Sequence, residues 1–480
     1  MVNFRIVARV FSLIIVIEGL FMLLAAGVAL IYGEPASLLL SGIITIITGA
    51  LVFTPLRNEE KIAGQKEGYI IIAGIWLLLS LFGTLPYLLS GTITNFTDAF
   101  FESLSGFTTT GVTAITDIET MPRGILFWRS ITQWLGGVSF IIISLSVVQV
   151  IRTINIQLPL TDFTGQAGDR IHPRINESLK RIVAIYIILT AVETILLIIG
   201  GMSVFDALCH SFATMSTGGF TTHNSGIGAF DSPYILIILT IFMFIAGTSM
   251  TMFYFGLKRN FIKITGNEEF RFYLITCIVF TMLSGMLLWS GQGFSAGDAI
   301  IEGSFQAVSV ITTTGFYHSD FSLWGSLMIL LIFIMMFTGG TSGSASSGLK
   351  IIRLLLITKN TRHEMRRMIH PNAVLPVRLD GKTVPQAIIN NLLVFITLYL
   401  MILSVGALVT SLMGYDLVTS FSTSAALMAN IGPGIGTFGP FSNYAAVPEA
   451  GKWFFSLLML TGRIELFSIL IMFTAGFYKR

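Results

Sequence analysis

The sequence predicts an all-α polytopic membrane protein in which two leading spans precede four internal repeats, each a pair of long helices enclosing a short one. Three observations predict it. The 480 residues are 54% apolar and 11% charged, with a mean hydropathy of +0.82; a soluble chain carries about 25% charged residues. Long, predominantly apolar runs, such as 70–89, 182–199 and 391–412, can cross roughly 30 Å of hydrocarbon as helices. Finally, a short motif recurs at intervals of about 100 residues: Thr108-Thr109-Thr110-Gly111-Val112, Ser216-Thr217-Gly218-Gly219-Phe220, Thr312-Thr313-Thr314-Gly315-Phe316 and Asn430-Ile431-Gly432-Pro433-Gly434. A fixed period of this kind marks an internal repeat.

Taken in order, the first two spans are drawn at 4–32 and 37–56. The first is too long in its apolar part, and too poor in cleavage signals, for a removed signal peptide. Four pairs follow: 69–90 with 125–151, 180–202 with 233–257, 270–289 with 323–356, and 388–413 with 452–478. This gives units of 1–60 for the leading helices, then 61–155, 156–260, 261–360 and 361–480 for the repeats. Each repeat encloses one short segment that ends at its glycine. Thirteen residues before the glycines stand Asp98, Asp206, Glu302 and Thr419, residues suited to a helix N-cap or first turn. Eight before stand Ser103, Ser211, Ala307 and Ser424, and six before stand Ser105, Ala213, Ser309 and Ala426. Small residues at matched offsets predict short helices packed closely against a neighbour.

Loop charge sets orientation. One set of loops holds Arg57, Lys61 and Lys66; Arg152, Arg170, Arg174, Lys180 and Arg181; Lys258, Arg259, Lys263 and Arg271; Lys359, Arg362, Arg366, Arg367, Arg378 and Lys382; and Lys479 and Arg480. The opposite loops carry Asp98, Glu119, Asp206, Asp231, Asp298, Asp320 and Asp416, with Arg123 nearly the sole base. Both termini are therefore expected in the cytoplasm, with the short segments entering from outside.

A segment that enters and leaves on one face is re-entrant. Its non-helical backbone is tolerated at membrane depth only where it lines water or is buried in protein. Four of them imply a shared cavity on a pseudo-fourfold axis. Their helix C-termini, each worth about half a negative charge, favour a cation there. Glycine supplies the φ needed to turn carbonyls inward, and rings of carbonyl oxygens replace the hydration shell of a monovalent ion such as potassium. No acidic ring is required.

With these motifs the chain resembles the Trk/Ktr/HKT superfamily of potassium transporters over its whole length, above all the bacterial Trk uptake branch. Gln133-Trp134-Leu135-Gly136-Gly137, Ser216-Thr217-Gly218-Gly219-Phe220, the 339–350 run and Asn430-Ile431-Gly432-Pro433-Gly434 carry the likeness. The resemblance implies four membrane–pore–membrane repeats and potassium as the bound ion. It implies a filter formed by Thr109-Thr110-Gly111-Val112, Thr217-Gly218-Gly219-Phe220, Thr313-Thr314-Gly315-Phe316 and Asn430-Ile431-Gly432-Pro433. Ile431 and Pro433 depart from the threonine-rich pattern, so selectivity looser than a tetrameric channel's is expected. Homodimers resting on a cytosolic nucleotide-binding RCK (TrkA-type) regulatory subunit in a bacterial inner membrane are implied too, with no nucleic acid and no enzymatic reaction.

The run Gly339-Gly340-Thr341-Ser342-Gly343-Ser344, continuing to Gly348 and Lys350, cannot hold a helix well. It is a flexible linker or, flanked by apolar sequence at membrane depth, a cavity lining; the resemblance makes 337–350 an intramembrane gating loop carrying Lys350. Its likeness to a phosphate-binding loop fails, because no Lys-Ser/Thr pair follows the glycine and no βαβ unit surrounds it. Arg463 lies in the last apolar run, where a charge costs about 2.5–3.5 kcal/mol on insertion scales. It is either an ion-pair partner, for Glu465 among others, or a positive barrier below the filter; the resemblance favours the barrier.

Arg129, Glu102 and Gln306 are expected to brace the filter from behind, with His210 in the place of Glu102 in the second repeat. Glu18 and Glu193, in spanning helices, are interhelical hydrogen-bonders or coupling carboxylates. The latter reading would make the protein a proton- or sodium-coupled secondary transporter instead. Cys209 and Cys277 have no metal-ligand companions and are packing residues. The basic stretch 359–382 is a solvated loop or a docking surface for a soluble regulator.

Overall fold

The computed structural model describes residues 3–57, 64–153, 175–373 and 375–464. Among the described residues the regular structure is helical apart from one short hairpin. The leading pair is α1 (Phe4–Ile31) and α2 (Ser37–Leu56), the first repeat α3 (Gln65–Phe82), α4 (Leu85–Ser90), α5 (Phe96–Phe107) and α6 (Arg123–Thr153). Then come α7 (Ile175–Ile199), α8 (Val204–Met215), α9 (Pro233–Ala246), α10 (Met250–Leu257) and α11 (Phe261–Thr265). The third repeat holds α12 (Glu268–Gly291), α13 (Ala296–Ile311), α14 (Ser326–Met335) and α15 (Ile351–Ile369). A hairpin, β1 (Arg378–Leu379) with β2 (Lys382–Thr383), precedes α16 (Gln386–Leu412), α17 (Leu417–Ala429) and α18 (Glu449–Ile464).

Among the described residues, seven helices are long and apolar enough to cross a membrane, and α9 with α10 makes an eighth only as a pair bent by 100°. Large apolar side chains such as Leu20, Ile275, Met282 and Leu408 face outward, as lipid-facing positions do. Helix α6 is the exception. Its spanning window, Arg123–Ile143, is 83% buried, against 28–39% for the other six, so its polar residues Arg129, Ser130, Thr132 and Gln133 lie in the protein interior. Close approach of α1 and α2 rests on small residues: a Cβ on Gly42 would stand 3.1 Å from the Gly19 carbonyl oxygen, and one on Gly49 2.9 Å from that of Ser12.

The short helices α5, α8, α13 and α17 each pack between the two long helices of their own repeat. Contacts of α6 with α8, α9 with α13 and α18 with α5 link the repeats in sequence.

Four expectations need correction. The span drawn at 233–257 is broken at Gly247-Thr248-Ser249, where the Gly/Ser run docks through Thr341. The span drawn at 323–356 is likewise split, into α14 and α15. Glu302 is not in a first turn: α13 begins with its N-cap Ser295 bonding the Asp298 amide, one turn earlier than in the other repeats. The described part of 359–382 is largely exposed but is not all loop: it holds the end of α15 and most of the hairpin. The C-terminal part of the last drawn span, beyond 464, and Lys61, Arg170, Arg174, Glu465, Lys479 and Arg480 lie outside the described residues.

Candidate functional site

All four short helices end in the same backbone device. The amide of Thr109 bonds the Gly106 carbonyl (3.0 Å) and that of Thr110 the Ser105 carbonyl (2.9 Å). Thr217 and Gly218 repeat this on Thr214 and Ala213, Thr313 and Thr314 on Val310 and Ser309, and Asn430 and Ile431 on Leu427 and Ala426. These paired bonds are Schellman motifs, which require a left-handed residue just past the helix. Thr109, Thr217, Thr313 and Asn430 supply it, at φ 54°, 54°, 59° and 54°. A β-branched residue there is an outlier, strain of about 1–3 kcal/mol of the sort concentrated at functional sites. The small residues six before each glycine are the carbonyl acceptors of the longer bond.

The glycines then interlock. Gly111, Gly219, Gly315 and Gly432 have φ of 82°, 77°, 76° and 104°. A Cβ on Gly111 would collide with the Gly218 carbonyl oxygen, on Gly219 with that of Thr314, and on Gly315 with that of Ile431. On Gly432 it would stand 2.8 Å from the Thr110 carbonyl oxygen. Each loop thus abuts the next, and the fourth returns to the first. Asn430 Nδ2 donates to Thr110 Oγ1 (2.8 Å), and Lys452 Nζ pairs with Asp98 Oδ1 (2.6 Å), across the same fourth-to-first junction. The sequence-predicted filter residues are therefore brought together.

The bracing differs from loop to loop. Ser105 Oγ donates to the Val112 carbonyl and Ser309 Oγ to that of Phe316, both at 2.6 Å. Ala213 lacks the hydroxyl, and in its place Gln133 Nε2 donates to the Gly218 carbonyl (2.6 Å) while its Oε1 accepts from the Phe220 amide (3.1 Å). In the fourth loop Ser422 Oγ donates to the Ile435 carbonyl and accepts from its amide. Behind the first loop Glu102 accepts from Arg129 Nε (2.8 Å), Thr113 Oγ1 and the Ala114 amide. Arg129 also donates to the Thr221 carbonyl and lies 3.9 Å above the Phe220 ring, tying the first loop to the second. His210 is buried, its Nδ1 2.8 Å from the Asp206 carbonyl.

Beyond the third glycine, His318 Nδ1 bonds Glu302 Oε2 at 2.8 Å. That hydrogen bond, more than the nearby Asp231 charge, raises the imidazole pKa above its ordinary value.

The Gly/Ser run packs directly beneath the third loop. Ser347 donates its amide to Thr313 Oγ1 (2.9 Å), and Thr341 donates its amide to the Gly247 carbonyl (2.9 Å) while its Oγ1 accepts from the Ser249 amide (2.7 Å). The break in α9–α10 is thus a seat for the run, and neither local stretch alone signals it. Lys350 Nζ lies within the run itself, on the Ser346 carbonyl and 3.5 Å from Ser344 Oγ. Gly339 and Gly340 meet backbone oxygens of Ser347 and Gly247 where a Cβ would stand; Ser342 and Gly343 face α12 and α10.

Arg463, 1% exposed, reaches across: Nη1 donates to the Ala345 carbonyl (3.1 Å) and Ser347 Oγ (2.5 Å), and Nη2 to the Gly136 carbonyl (3.2 Å). Its guanidinium carbon lies 4.1 Å from the Phe140 ring centroid. These described contacts are with neutral groups, and Glu465 lies outside the described residues. Gln133 and Gly136, which in the sequence stand out only as part of a shared motif, contact the second loop and Arg463 respectively. Glu18 and Glu193 are fully buried in α1 and α7, outside the four loops. Among the described residues no group of three or more His, Cys, Asp or Glu is arranged to hold a metal.

The TrkH family model, described as a cation transport protein, matches residues 36–478. The Trk system potassium uptake protein TrkH of Halomonas elongata is 34% identical over the full length of both chains. Its counterpart from Salmonella typhimurium is 32% identical, covering 99% of this chain and 100% of that one. The crystal structure of the potassium transporter TrkH from Vibrio parahaemolyticus aligns with a TM-score of 0.90 at 31% identity, over 99% of this chain and 100% of that chain.

Proposed function

Because the chain belongs to the TrkH family of cation transport proteins, we propose that it is the membrane subunit of a potassium uptake system of a bacterial inner membrane. Potassium is its cargo rather than a resident cofactor. The observation that carries this reading is the closed circuit of four loops, each with a left-handed residue followed two positions later by a positive-φ glycine. On this reading the loops are re-entrant and surround a pseudo-fourfold axis. Helix C-termini converging there concentrate partial negative charge, and the carbonyls of Thr109-Thr110-Gly111-Val112 and its three counterparts replace water around a bare monovalent ion.

The Gly/Ser run 337–350 serves as the gate, and Arg463 both anchors it and opposes cations below the filter. The hydrogen bonds of Arg463 to Ala345 and Ser347 support the anchoring. The basic loops and both termini face the cytoplasm. There, a TrkA-type nucleotide-binding subunit is the proposed regulator of a homodimer, since the relatives are named as parts of a Trk system.

Uptake of potassium and sodium into proteoliposomes tests the proposal, comparing the wild type with Gly315→Ser. Potassium flux that prefers potassium over sodium, and loses that preference in the variant, supports it. Flux requiring a proton or sodium gradient at fixed stoichiometry refutes it in favour of a coupled carrier.

A further inference from the structure

The Gly/Ser run is also held by a set of contacts that involves neither the glycine loops nor Arg463. Ser342 donates its backbone amide to Glu269 Oε1 at 2.5 Å. Glu269, 3% exposed, sits in the first turn of α12, where Lys350 and Asp380 are the charged groups acting on it. The N-terminus of α12 is itself tied down. Asp380, the left-handed turn residue of the hairpin (φ 47°), accepts from the Glu268 amide at Oδ1 (2.8 Å) and from Asn267 Nδ2 at Oδ2 (3.3 Å).

A carboxylate on the first amides of a helix is held by charge-assisted bonds and by the helix dipole. Lys359 reinforces the joint, pairing with Glu268 and donating to the Arg378 carbonyl (2.8 Å). On its other side the hairpin packs Val377 and Val384 against Ile352 and Leu356 of α15, the helix that leaves the run. Its tip, Asp380 to Thr383, is exposed.

We propose that Asp380 and Glu269 form a latch in series, in which the hairpin fixes the start of α12 and α12 fixes the intramembrane run at Ser342. Loss of either carboxylate's hold then releases the run. The inference rests on the gate reading given above. Glu269 and Asp380 are positioning residues, because neither stands among the filter residues.

The test measures potassium flux through the purified full-length chain in proteoliposomes, without partner, for Glu269→Ala, Glu269→Gln, Asp380→Asn and Arg463→Gln. Asparagine tolerates the left-handed turn, so Asp380→Asn removes charge while keeping the hairpin. Loss of one charge-assisted bond raises flux about tenfold or more in Glu269→Ala, and less in Glu269→Gln, which retains a neutral acceptor. The potassium-to-sodium ratio stays that of the wild type, a readout that general loosening of the filter would shift. Asp380→Asn combined with Glu269→Ala adds nothing beyond the larger single effect, as members of one series must. Raised flux in Arg463→Gln beside unchanged flux in the Glu269 and Asp380 variants overturns the latch alone. Additive effects, or a shifted ion ratio, overturn it as well. Unchanged flux in all four variants overturns the gate and the latch together.

Discussion

Serine substitutions at the four glycines should not be equivalent, and the structure ranks them. At Gly315 two costs combine. Its φ of 76° places any L side chain in the left-handed region, at about 1–2 kcal/mol. Its Cβ would in addition overlap the Ile431 carbonyl oxygen, which must move out of van der Waals contact and leave its place in the ring. At Gly432 the first cost recurs, but the Thr110 carbonyl oxygen stands 2.8 Å from the Cβ, so a shift of a few tenths of an ångström relieves it. A displaced carbonyl that forfeits about 1.4 kcal/mol of differential ion binding costs tenfold in selectivity. Gly315→Ser should therefore lose at least tenfold of the potassium-to-sodium preference, and Gly432→Ser several-fold less. The assay is paired potassium and sodium flux in proteoliposomes at matched protein incorporation. A Gly432→Ser defect equal to or worse than that of Gly315→Ser, or an unaltered ion preference in both, would refute the reasoning.

Arg463→Gln removes the guanidinium from the Ala345 and Gly136 carbonyls and from Ser347 Oγ. Basal potassium flux should rise about tenfold or more, at roughly 1.5–3 kcal/mol per bond to a charged group, and unchanged flux at equal incorporation would count against the gate. Glu102→Gln leaves Arg129, 1% exposed, without its counter-charge; about 3–5 kcal/mol of stability should be lost, read as a lower melting temperature in detergent. The double variant Glu102→Gln/Arg129→Met should recover part of that loss. Because Glu302 raises the pKa of His318, the protonated pair stabilises the fold fully below the ordinary histidine value of about 6.5. That stability is lost as pH rises through the raised value. Melting temperature should fall over this window in the wild type and stay flat in His318→Asn.

Much of the candidate site can be read directly along the chain. The glycine period and the small residues at matched offsets are local features, and they reappear as helix ends with one shared hydrogen-bond pattern. What could not be read is relational. Gln133 braces the second loop from a helix of the first repeat, and no motif within residues 213–220 calls for it except the missing hydroxyl at Ala213. The break at Gly247-Thr248-Ser249 lies in apolar sequence that supports a continuous helix; the distant Thr341 stabilises it by pairing with the exposed backbone. The extra turn of α13 was hidden because Glu302 occupies a cap-like offset, while Ser295 and Asp298 form the true start. The hairpin is not legible because two residues per strand leave no alternation to detect.

The unlike supports behind the four loops have a practical consequence. A ring assembled from identical subunits suffers any lesion four times over, so its mutants tend to fail outright. Here Ser105, Gln133, Ser309 and Ser422 each support one loop, so a substitution at any of them removes the support of a single loop. If the four loops form the filter proposed above, permeation can be adjusted in small steps, one wall at a time.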